Sequence, residues 1–317
     1  MKRLKKSIVL LTIISLGAFF FSLTNQVSIE ASSDDNNSIN YVHLKNTSNN
    51  LSTIYSTNYQ NKIYNQIAKL KKHKNYTIEH PLLITNPYGT NTTSIYMYFK
   101  TSDELQATYT IHCEGYNDFS RTLNNNTLSG YTTNHEYLLV GAIPGQINTI
   151  TVTLTNKQGK TVDTLSWSYN APFLQGGDQY LTVDCDDANT SSLSNGLYTV
   201  LGNDVTEDSE EQAYMRLYDN DGILRSEIPI ISYRSHRILF EDNTMYFSIS
   251  STKIVGMDQT GYISRIYDTG NYKLHHDYIF DSNNNLLVLA SEKNAKTSED
   301  KIIMIEKDSG NITELVD

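Results

Sequence analysis

His275, His276 and Asp277 stand in one run, and Arg234 and His236 precede them by about 40 residues. These are residue types that move protons and hold anions. An imidazole can be a nucleophile when neutral and an acid when protonated, at pH values where other side chains are fixed. A carboxylate beside it can orient the ring, and an arginine offers rigid donors to anionic oxygens. In a regular strand, residues two apart share a face, so His275 and Asp277 are expected to point together and His276 away. His275 with Asp277 is therefore the first candidate pair, His276 is the alternative, and Arg234 and His236 are candidate neighbours. The blander alternative makes each histidine a hydrogen-bonding residue inside its own sheet.

The elements that must position these residues are repeated. Asp219-Asn-Asp-Gly222, Asp258-Gln-Thr-Gly261 and Lys307-Asp-Ser-Gly310 each precede a short stretch with apolar residues at matching places: Ile223 to Ile228, Tyr262 to Tyr267 and Asn311 to Val316. The glycines lie 39 and then 49 residues apart, and the second interval holds a charged stretch, Ser291 to Asp300, that reads as a ten-residue insertion. A second element repeats between the turns. His236 to Asn243 is followed by Met245 to Ser250, and His276 to Asn283 by Leu286 to Ala290. His236 maps to His276 at a spacing of 40, or to His275 at 39. A unit of about 40 residues with four short strands is the pattern of a β-propeller blade; a second sandwich or a β-solenoid are the alternatives. In a propeller the innermost strand of each blade lines the central channel, so histidines repeated at its start would reach one shared cavity.

Upstream, the period is two. Ser94 to Phe99, Gln106 to Ile111, Glu136 to Val140, Thr149 to Leu154 and Thr164 to Tyr169 alternate, with turns such as Asn86-Pro-Tyr-Gly89 and Lys157-Gln-Gly-Lys160 between them. Residues 77–172 therefore read as a β-sandwich of immunoglobulin or fibronectin type, and 173–317 as the first blades of a propeller. Residues 51–76 carry Ile54, Tyr55, Tyr59, Ile63, Ile67 and Leu70 at helical spacing and read as one amphipathic helix. Residues 32–50, rich in Ser, Asn and Asp, read as a linker.

Composition agrees with a mainly β protein. The 317 residues include 23 Tyr but only 5 Pro, and 38% are hydrophobic, enough for a sizeable core. A formal charge of −10 argues against binding to nucleic acid, which needs a basic surface. Lys2, Arg3, Lys5 and Lys6 precede an apolar run from Ile8 to Leu23, so residues 1–31 are expected to be a secretory signal, or a retained N-terminal anchor, placing the rest outside the cytoplasm. In an oxidising compartment Cys113 and Cys185 either form one disulfide or remain two separate buried thiols. No metal or cofactor motif is present.

Ile228 to Phe240 followed by Tyr272-Lys-Leu-His-His-Asp-Tyr278, behind a sandwich carrying Asn86-Pro-Tyr-Gly-Thr90 and Gly141-Ala-Ile-Pro-Gly145, resembles the bacterial arylsulfate sulfotransferases. The resemblance covers roughly residues 80 to 317. It implies a secreted, usually dimeric enzyme with a sandwich and a six-bladed propeller. Such an enzyme moves a sulfuryl group from a phenolic sulfate ester to another phenol, by a ping-pong route through a sulfated histidine and with no cofactor. The channel-facing histidine of the His-His-Asp element is carried onto His275.

Two whole units and a partial opening one cannot close a ring. The chain is therefore expected to be the N-terminal half of such an enzyme. The sulfated histidine is expected to have no counterpart in it, and activity would need a complementing fragment with further blades. Both the first and the last blade are expected to leave an apolar face open. The alternative function is a secreted, non-catalytic β protein that binds a partner or a glycan.

Overall fold

The computed structural model describes residues 39–124, 130–177, 196–202, 212–295 and 300–316. Residues 1–31, the first part of the 32–50 segment, and Cys185 lie outside these residues; Cys113 is buried.

The chain is mainly β. Its helical segment is two helices, α1 (Leu51–Ile54) and α2 (Thr57–His73). Two caps cause the break. The Asn50 side chain accepts from Thr53 N at the start of α1, and Ser56 Oγ accepts from Tyr59 N at the start of α2. Turning the chain between them lets Tyr55 bury its ring and donate to Pro229 O at 2.6 Å. Tyr59, Ile63 and Ile67 form the buried stripe of α2, and Lys71, Lys72 and His73 fill its last turn, where cations meet the helix dipole favourably.

The sandwich is built from β1 (Leu82–Thr85), β2 (Ile95–His112), β3 (Phe119–Leu123), β4 (Thr132–Leu139), β5 (Ile147–Thr155) and β6 (Thr161–Asn170). The two alternating stretches read as separate strands, 94–99 and 106–111, are one strand. The first half of β2 pairs with β1 and β4, and the second half with β3 and β5. Between the halves, Lys100 to Glu104 lies at the surface and the register with β4 shifts, which lets a single strand serve both layers. Val42 N donates to Leu83 O at 2.8 Å and Trp167 Nε1 to the Tyr41 hydroxyl at 2.8 Å, so residues 41 and 42 run beside β1.

Three consecutive antiparallel meanders follow. The first contains β7 (Tyr198–Val200), β8 (Ala213–Tyr218) and β9 (Leu224–Ile230). The second contains β10 (Ile238–Glu241), β11 (Thr244–Ser250), β12 (Lys253–Asp258) and β13 (Ile263–Asp268). The third contains β14 (Tyr272–Phe280), β15 (Leu286–Glu292), β16 (Lys301–Ile305) and β17 (Ile312–Val316). Among the described residues these sheets do not close on themselves, as an incomplete propeller would not. Each glycine turn leads into the last strand of its sheet. Gly261, at φ +88°, needs the left-handed region that only glycine enters freely, and its carbonyl accepts from Thr90 Oγ1 at 2.7 Å.

The strand pairing aligns the second and third sheets residue by residue. Phe240 pairs with Met245 and Phe280 with Leu286; Met245 pairs with Met257 and Leu286 with Ile305. Leu274, Tyr278, Leu286, Val288, Ile303 and Ile305 of the third sheet form one core with Tyr246, Ile254 and Tyr267 of the second. In the third sheet, the places of Tyr246, Ile254 and Tyr267 are taken by Leu287, Ile302 and Val316, which face away from that core. Leu287 and Ile302 are half-buried and Val316 is exposed. The last sheet thus has an open apolar face, as expected.

The first sheet does not. Arg216 and Glu227 form an ion pair that is almost fully buried, and Glu227 also accepts from Thr92 Oγ1 and from the backbone of Gln175 and Gly176. Arg225 binds Asp219 at 2.6 Å and donates to the carbonyls of Gly141 and Asn117. The sandwich therefore covers the first sheet through charged side chains with nearly every valence met, a pairing that apolar periodicity does not reveal.

Candidate functional site

The His-His-Asp run lies in β14, outside a regular ladder. Leu274 pairs with Ala290 and Tyr278 with Val288, so four steps along β14 stand opposite two along β15. The extra residues bulge out, and His276 takes φ +65°. The alternation expected of a flat strand does not apply across such a bulge. His275 and His276 come together instead, with ring centroids 4.0 Å apart and planes at 55°.

Asp277 does not pair with His275. It takes a two-oxygen contact from Arg237 Nη1, at 3.0 and 2.8 Å, and accepts from the Tyr278 amide at 2.8 Å. Arg237 lies one repeat before Asp277, at the equivalent place of the second sheet. Tyr278, fully buried, locks the same joint by donating its hydroxyl to Arg237 O and accepting from Ser248 N. His275 instead sits with Nδ1 2.8 Å from Asp300 Oδ1, close enough for an ion pair but not aligned as a hydrogen bond. A quarter of the His275 side chain is exposed.

His236 is held from the other side. Its amide donates to Ser248 Oγ at 3.0 Å, its Nδ1 is 3.3 Å from the same oxygen, and Tyr233 lies 5.5 Å away ring to ring. Burial pushes the His236 imidazolium down to about 4; the charges of Arg234, His276 and His275 push the same way and Asp277 opposes them. The other four sequence-selected residues thus lie within electrostatic reach of His236. Arg234 is exposed, its guanidinium 5.6 Å from the Tyr233 ring, and a β-bridge to Gly202 ties its backbone to the first sheet.

The cluster thus sits on the first-strand edge of successive sheets, with His275 and His276 adjacent, His236 part-buried within their electrostatic reach and Arg234 exposed. It can donate hydrogen bonds to anionic oxygens and exchange protons. Arg237, Tyr278, Ser248 and Asp300 were not singled out in the sequence. For Arg237 a signal existed: opposite charges at equivalent places of two repeats. Asp300 closes a charged stretch with no periodicity and carried none. The remaining buried histidine, His135, stacks on Phe99 at 4.4 Å and bonds Tyr137 and Thr101, a structural setting in which burial pushes it down to about 4.

The model of the arylsulfotransferase (ASST) family matches residues 182–317, and that of the arylsulfotransferase Ig-like domain matches residues 82–171. The chain belongs to the arylsulfotransferase family. None of the curated proteins matches it. A solved protein of unknown function from Bacteroides caccae is 11% identical over 67% of this chain and 73% of that one, with a TM-score of 0.24, too low to carry any argument. In this chain the seam between the two family matches holds Gln175 and Gly176, whose amides donate to Glu227 of the first sheet. The Ig-like domain is therefore fastened to the ASST region at their boundary.

Proposed function

We propose that this chain supplies the sandwich, the opening propeller blades and one wall of the active-site channel of an arylsulfate sulfotransferase that moves a sulfuryl group between phenols. The observation that carries the reading is the cluster of His275, His276, His236 and Arg234 on one edge of sheets that lie within the ASST match. Sulfuryl transfer spreads negative charge over three oxygens and leaves a phenolate that needs a proton. Arg234 and the imidazole N–H groups suit the oxygens, and His275 or His276 suits the phenolate. The resemblance implies a ping-pong route through a sulfated histidine in a later blade. On that route the sulfated histidine belongs to a later blade, and the reading gives His275, His276 and His236 binding and proton-transfer roles rather than the nucleophile's. The phenolic donor and acceptor, export through the N-terminal segment, and a dimeric whole enzyme belong to the same proposal.

The test mixes the chain with a polypeptide carrying the later propeller sheets of an arylsulfotransferase and follows transfer from a chromogenic aryl sulfate to phenol. In the mixture, His275→Ala should slow transfer about 10²-fold, the usual size of one acid–base contribution. Its melting temperature should barely change. Full turnover in His275→Ala with loss in His276→Ala would move the role to His276; full turnover in both would remove the cluster from the chemistry.

A further inference from the structure

Away from the histidines, a cleft of about 710 Å³ opens between α2, the sandwich, and the β10–β11 and β12–β13 turns. Its volume suits a small organic ligand. Three carboxylates and three lysines line it, but they are not equivalent. Glu136 is bound by Lys71 at 2.6 Å and by the Tyr96 hydroxyl at 2.6 Å. Asp258 accepts from Thr260 and Tyr262 within its own turn, and Asp242 faces Lys307 at 3.2 Å. Lys71, already paired, also lies 4.6 Å from the centre of the Tyr98 ring. Lys72 and Lys100 have no carboxylate partner among the described residues. In a chain of net charge −10, a cleft whose lining sets three lysines against three carboxylates is locally far less negative than the whole, and Lys72 and Lys100 are its cations left over for a ligand.

The rest of the lining fits a ring with polar substituents. Tyr64 is 51% exposed beside the cleft and is held 5.2 Å from the Tyr262 ring, so its position is braced while one face stays free. Asn65, Asn243, Thr244 and Gln259 add neutral hydrogen-bonding groups, and little apolar surface is on offer to a lipid.

From this arrangement we propose that the cleft binds an anionic ring compound, its ring against Tyr64 and its acid group held by Lys72 and Lys100. An aryl sulfate and an acidic sugar share this chemistry. The cleft involves none of the five residues of the histidine cluster, so its binding stands or falls apart from the sulfotransferase reading.

The test is calorimetric titration of the full chain at low ionic strength with four probes: 4-nitrophenyl sulfate, a uronic-acid disaccharide, 4-nitrophenyl glucoside and inorganic sulfate. At least one anionic ring probe should bind, while the neutral glucoside and bare sulfate should not compete with it. Whichever ring binds more tightly identifies the source. Added salt should weaken the binding. Lys72→Glu with Lys100→Glu, and separately Tyr64→Ala, should each weaken it about tenfold, the worth of roughly 1.4 kcal/mol. Lys160→Glu, on the β5–β6 turn, should bind like the parent. Both substituted lysines are exposed, so circular dichroism should match the parent; if it does not, the salt dependence and Tyr64→Ala decide. Absence of binding by either anionic ring probe, equal binding of the glucoside, or unchanged affinity in the double lysine variant would overturn the proposal.

Discussion

The two ends of the ASST region solve the same problem in opposite ways. The first sheet is buried on both faces, and on the sandwich side the cover is polar: Arg216 with Glu227 and Arg225 with Asp219, most of their remaining donors and acceptors spent on Thr92, Gln175, Gly176, Asn117 and Gly141. The last sheet is buried on one face only. Its other face presents Leu287, Ile302 and Val316 at the places where the second sheet offers Tyr246, Ile254 and Tyr267 to its neighbour. A polar cover with matched valences suits one fixed neighbour, whereas a bare aliphatic face that repeats an already occupied one suits another sheet of the same repeat. An exposed apolar face of this kind favours association.

The largest effect should come from breaking the polar cover. Glu227→Ala strands Arg216 without its carboxylate in a dry site and is expected to cost about 3–5 kcal/mol in urea unfolding, the scale for an orphaned buried charge. A cost below 1 kcal/mol would mean that water reaches the junction.

The apolar contrast is next. Ile303, fully buried between sheets, should lose about 2–5 kcal/mol on Ile303→Ala, whereas Ile302→Ala, one residue away on the open face, should cost under about 1 kcal/mol in the isolated chain. Equal costs would show that something already covers the open face, with self-association of the chain the first candidate to check by sedimentation.

Acid should then erode stability through the two buried histidines. His135 and His236 are both held down to about 4 by burial, against an ordinary value of 6.5. Between those limits the unfolded chain takes up protons that the folded one refuses, so stability is complete above pH 6.5 and falls as the pH drops towards 4. His135→Gln should flatten part of that slope in melting curves taken across the window; an unchanged slope would remove His135 from the effect.

A smaller loss, about 1–2 kcal/mol, is expected for Gly261→Ala. The new methyl would meet Thr90 Oγ1 at 3.0 Å with the backbone at φ +88°. Gly310→Ala has the same kind of φ, +71°, but open space around it, and should cost less.

Much of this was legible in the residues, for reasons that differ by region. Period-two alternation reported the sandwich because each strand has one dry face. The glycine turns reported the repeated sheets because a left-handed backbone position admits few other residues. Lys100 to Glu104 misled because a solvated passage between two layers has the composition of a turn. The bulge at His275 to Asp277 was hidden because pairing register depends on a partner strand that the local pattern does not contain. The histidine cluster was found through the repeat spacing. Its true partners, Arg237 for Asp277 and Asp300 for His275, are fixed by neighbouring segments of the fold.

The most direct measurement is transfer from 4-nitrophenyl sulfate to phenol by residues 32–317 alone, compared with the same chain mixed with the later sheets of an arylsulfotransferase. Membership in the family, with the nucleophile assigned to those later sheets, predicts no multiple turnover by the isolated chain and turnover on mixing. Multiple turnovers by the isolated chain would contradict that assignment and require a nucleophile among its own histidines.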